Sequence, residues 1–138
     1  MKTAAAAIGL QFQVVHASTS REIDRAFATL AAAPPAALFV GPDPFFYSRR
    51  GQLALQAARH AIPASYAIRD YAEAGGLMSY GTNVTAAYHE VGVYAGHILK
   101  GAKPADLPVQ QSTKFELVIN LQAAITIGLD VSPQLSEA

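Results

Sequence analysis

The stretch from residue 41 to 50, GPDPFFYSRR, gathers an acid, three aromatic side chains, two prolines and two arginines. A carboxylate there can accept hydrogen bonds, aromatic rings can form an apolar wall, and the prolines hold the backbone stiff. Such a corner either orders the start of the next helix or touches something that is not protein. Chemistry beyond binding has no comparable candidate. Neither GxGxxG nor GxxxxGK[ST] occurs, and Gly75-Gly76 precedes a predicted strand, so no phosphate-cradling loop is present. His89 and His97 lie eight residues apart, which on a helix is a rise of about 12 Å and too far for one zinc. No GxSxG elbow occurs, and Asp24, Asp43, Asp70 and Asp106 fall in different segments without forming an acid/base couple. The sequence therefore points away from an enzyme, and neither a metal nor a cofactor is implied.

Composition narrows the classes further. The 138 residues are 51% apolar and 14% charged, enough for one domain with a sizeable core. Ten basic and ten acidic residues balance, with no Lys/Arg run, so nothing favours nucleic acid or an anionic membrane surface. The absence of cysteine removes disulfides, thiolate catalysis and zinc-thiolate sites. The first residues, MKTAAAAIGLQ, lack a small-residue cleavage site and read as a helix end rather than a signal peptide. No segment reaches the roughly 18 to 20 apolar residues that span a bilayer.

These residues need elements to hold them, and strand and helix signals alternate along the chain. Leu10 to His16 reads as a strand, and Thr19-Ser20-Arg21-Glu22 as a capping box. The helix it opens carries Ile23, Phe27 and Leu30 on one face and ends at Pro34-Pro35. Further strands are predicted over 36–40, 62–66, 77–80 and 114–120. Helices are predicted over 48–60, 69–74 and 84–100, the last capped by Asn83, and in a short segment capped by Asn120. In the long helix, Ala87, Val91, Tyr94 and Ile98 have core spacing. Residues 129–138 read as a frayed tail. Five strands separated by helices imply an α/β fold with a doubly wound parallel sheet. Loops after the strands' C-terminal ends form the usual ligand edge of such sheets. That edge would carry residues 41–46, 16–20, 66–70 and 80–83.

Several stretches are also familiar: DPFFYSRRGQLALQAARHAIPASYAIRDYAEAGGLMSYGTN and ILKGAKPADLPVQQSTKFELVINLQAAITIGL. They resemble the C-terminal half of the solute-binding proteins of bacterial ABC transporters, in the tryptophan/tyrosine-type group. The most specific parts are GGLMSYG (75–81), GAKPADLPV (101–109) and KFELVINL (114–121). The resemblance implies one lobe, plus crossing segments, of a type I periplasmic-binding-protein fold over residues 1–138. It implies a partner permease, a small organic solute such as an amino acid, and no catalysis. It places the protein in the periplasm, or in the cytoplasm for the chain as it stands without a signal peptide. Helix 84–100 would pack partly on a first lobe that this chain lacks, and an isolated half would hide that face by self-association or by refolding the helix onto its own sheet. A truncated module with only a structural or self-associating role is the alternative.

Within the binding-protein resemblance, Asp43 can accept a hydrogen bond from a solute amino group, and Phe45 or Phe46 can line an apolar wall. Ser79, Tyr80 and Asn83 offer hydroxyl and amide groups, while Tyr66 and Arg69 flank the cleft. Arg69 suits a carboxylate because its planar fork donates two parallel bonds. The plainer reading stands beside it: Asp43 as a turn or cap, one phenylalanine as core, Asn83 as a cap, and Arg49 and Arg50 as solvated.

Overall fold

The computed structural model describes residues 2–110, 114–132 and 135. Helix α1 (Lys2–Ala7) leads through a segment without helix or strand to α2 (Ser20–Ala32) and strand β1 (Leu38–Val40). Then follow α3 (Pro44–Ser48), α4 (Arg50–Arg59), β2 (Ala64–Tyr66), α5 (Arg69–Glu73) and β3 (Met78–Thr82). The long α6 (Val84–Leu99), a 3₁₀ turn at Pro104–Asp106, β4 (Phe115–Ile119) and α7 (Leu121–Thr126) complete the order. Among the described residues the strands form one sheet in the order β1-β2-β3-β4.

Local sequence explains most boundaries. Thr19 Oγ1 accepts the Glu22 amide at 3.2 Å, and the Glu22 carboxylate accepts the Ser18 amide at 2.7 Å. That is the expected reciprocal cap, displaced by one residue on its return bond. Ile23 and Phe27 of α2 enter the core with Val40, Leu53, Ala57, Ile62, Ala64, Tyr66 and Tyr71. The stiff corner itself is helical: Pro44 sits in the first turn of α3, where its missing amide does no harm.

The α/β class is borne out, with three corrections. Segment 10–16 joins no strand, and residues 11–17 make no backbone–backbone hydrogen bond among the described residues. Its sequence is β-rich, but a strand is defined by a hydrogen-bonded neighbour, and among the described residues it has none. Second, the sheet is mixed: β1-β2 and β2-β3 are parallel, whereas β3-β4 is antiparallel. The chain leaves β3 into α6 and returns to the same end of the sheet, where the Asn83 amide donates to the Lys114 carbonyl. It must then run back along β3 in the opposite sense. Third, α6 buries no residue; Val91 is 63% exposed despite its core-like spacing. The predicted tail lies partly outside the described residues, at 133–134 and 136–138.

Candidate functional site at the carboxyl edge of the sheet

Three parallel strands end side by side at Val40, Tyr66 and Thr82, and each feeds a helix. Gly81 makes the close approach possible: a Cβ there would lie 2.0 Å from the Ala67 carbonyl oxygen. Only glycine lets these two strand ends converge. The edge thus collects Asp43, Arg69, Asp70 and Asn83 from loops and first turns, and Glu116 joins from β4 opposite Gly81.

On one side stands an acid–aromatic cluster. Asp43 caps α3 through Oδ1, which accepts the Phe45 and Phe46 amides at 2.8 and 3.3 Å. The cap reading is therefore realised, and Asp43 itself is exposed. The Tyr47 hydroxyl donates to Asp70 Oδ2 at 2.5 Å, and the Arg50 guanidinium lies 4.9 Å from the Tyr47 ring centroid. Tyr71 meets Tyr47 edge-on at 6.2 Å and stacks on Tyr66 at 4.5 Å, so an aromatic row runs from edge to core. The bond to Asp70, then that carboxylate's charge, raises the Tyr47 phenol above its ordinary pKa. Burial, with the Asp43 charge second, pushes Tyr71 up to about 12.

On the other side is a salt-bridged cluster. Arg69 Nε donates to Glu73 at 2.7 Å, and its Nη1 lies 3.6 Å from Glu116. The Glu73 hydrogen bond, followed by the two carboxylate charges, raises the Arg69 pKa further. Asn83 accepts the Ala86 amide at 2.8 Å as the cap of α6 and donates to Glu116 at 3.2 Å. Among the residues singled out from sequence, Asp43, Arg69, Tyr80 and Asn83 have groups at this edge. Phe45 and Phe46 are half-buried, both packed against the core with centroids 5.7 Å apart. Tyr80 is 60% exposed and stacks on Phe115 at 6.0 Å. Tyr66 and Ser79 are fully buried beneath the edge, paired in register, with hydroxyls that have no hydrogen-bond partner among the described residues. Sequence reasoning did not single out Tyr47, Arg50, Tyr71 or Glu116, and it reached Asp70 only as part of the 66–70 edge. Tyr47 and Arg50 lay inside the stretch already suspected; Glu116 gave no signal before β4 was seen to run antiparallel.

Among the described residues there is no group of three metal-binding side chains and no helix long and apolar enough to cross a membrane.

The family described as ABC transporter substrate binding protein matches residues 1–138, the whole chain. The chain belongs to this family. Comparison with curated proteins gives no match. Among solved structures, a conserved domain protein from Vibrio cholerae shares the fold with a TM-score of 0.84 and 24% identity over 99% of this chain. An ABC domain from Streptococcus pneumonia in complex with L-Trp gives 0.82 and 24% over 99% of this chain. A ligand-free, open substrate binding protein with adhesive properties from Clostridium difficile gives 0.71 and 23% over 96%. The chain spans only 46%, 47% and 44% of those three proteins, about half of each.

Proposed function

We propose that this protein is the solute-binding component of an ABC-type uptake system, recognising a small organic solute such as an amino acid at the carboxyl edge of its sheet, without catalysis. Family membership over the whole chain carries this reading. The edge chemistry supports the solute class. Carboxylates (Asp43, Asp70, Glu73, Glu116) and guanidiniums (Arg50, Arg69) stand close together at this edge, which suits a solute carrying both an ammonium and a carboxylate group. Arg69 and the caps Asp43 and Asn83 sit on helix starts, so contacts there are made by ordered groups at little entropic cost. Exposed Tyr80 adds an aromatic face. Tyr66 and Ser79 act from below, holding the strands that carry the edge.

The partners in this reading are the solute and a permease, and the location is the periplasm. Calorimetric titration with aromatic and branched amino acids, L-Trp included, tests it; saturable heat from at least one is expected, and silence across the panel refutes it.

One observation favours a second reading for the chain alone. Helix α6 has 16 residues and buries none of them, while Val84, Tyr88, Val91, Ile98 and Leu99 are all exposed. An apolar surface of that extent marks an interaction face, and in this reading the chain is a module that associates with another lobe or with itself. Loss of solute binding in a chain that still self-associates selects this reading.

A further inference from the structure

Strand β1 pairs with β2 on one side only, so its other side is an open sheet edge. Natural edges are usually blunted by charge, proline or a bulge; Leu38-Phe39-Val40 has none of these, and Phe39 is 44% exposed. The same chain carries the complement of this edge. Residues 11–17 have no assigned helix, strand or turn, and no backbone amide or carbonyl among them has a backbone partner among the described residues. Apolar side chains here are left partly in solvent: Leu10, Phe12, Val14 and Val15 are 60%, 40%, 46% and 39% exposed. Helix α2 holds the two together, since Ala17, Ile23, Phe27 and Leu38 all pack on one core. A β-rich segment and a bare edge, both unpaired, are therefore presented by one molecule.

We propose that a second copy of this chain covers the edge: the 10–17 segment of each copy adds as a strand to β1 of the other, closing a two-fold dimer. Reciprocal exchange gives both unpaired backbone rows a partner and closes the assembly at two copies. It is independent of solute binding, and it places the contact at the sheet edge rather than on α6.

The test is sedimentation of the full chain through a dilution series, with three variants. Wild type is expected to dissociate reversibly from dimer to monomer. Val14→Pro removes a ladder donor from a segment that makes no bond within its own copy, and should weaken the dimer by about tenfold or more. Val14→Thr keeps the donor and should stay dimeric, as should Tyr88→Lys on α6. Hydrogen exchange should show amides 12–16 protected at high concentration and open on dilution, a readout that holds even if Val14→Pro folds poorly. A wild-type chain that stays monomeric, or amides 12–16 that remain open in the assembled form, overturns the proposal. So does an assembly dissolved by Tyr88→Lys but untouched by Val14→Pro, which would make α6 the interface.

Discussion

Asp43 has one observed role and one proposed role, and they can be separated. As the cap of α3 its Oδ1 accepts two amides, at 2.8 and 3.3 Å. As a solute contact it would use its charge and its remaining oxygen. Asp43→Asn keeps a good cap and removes the charge; Asp43→Ala removes both. Loss of an N-cap costs about 1 kcal/mol, so Asp43→Ala should lower the melting temperature by roughly 4 °C. Asp43→Asn should lie within a few tenths of a kcal/mol of wild type, because Asn ranks with Asp as a cap. A hydrogen bond to a charged group contributes about 1.5–3 kcal/mol, so either variant should weaken an amine-bearing solute by about 10- to 100-fold. Paired thermal melts and calorimetric titrations read both effects. If Asp43→Asn binds the solute as wild type does, Asp43 is a cap and nothing more.

Other consequences follow from the packing. Gly81→Ala drives a Cβ into the Ala67 carbonyl and should cost about 3 kcal/mol or more, seen as a large drop in the denaturant midpoint. Tyr66→Phe deletes a buried hydroxyl that has no hydrogen-bond partner among the described residues, and should leave stability unchanged or raise it. The folded pKa of Tyr71 is raised from 10.0 to about 12, with Tyr66 raised in the same direction. Folding thus favours the neutral phenols: their contribution is complete below about pH 10 and is lost as pH climbs through about 12. Stability should therefore fall less steeply between about pH 10 and 12 in Tyr71→Phe than in wild type, read by denaturant melts at stepped pH.

The sequence carried the fold wherever a local rule decided it. The capping box at Thr19, the caps Asn83 and Asn120, and the apolar face of Ile23 and Phe27 all needed only their neighbours, and each appears as expected. Pairing is not local. Nothing in LQFQVVH says whether a second strand lies beside it, and nothing in KFELVIN gives its direction. The same limit governed the site. Asp43 was visible because its own corner is unusual, whereas the Tyr47–Asp70 and Asn83–Glu116 bonds join residues 23 and 33 apart. Tyr66 and Ser79 were assigned to the edge from their strand-end positions. Alternation along the strand instead turned their side chains into the core.

The most direct test of solute recognition at this edge is an amide-resolved NMR titration with the tightest-binding amino acid of the calorimetric panel. Shifts should concentrate at residues 41–46, 67–70 and 81–83 and saturate together. Saturable shifts confined to the opposite end of the strands, or none at all, would contradict a solute site at the carboxyl edge.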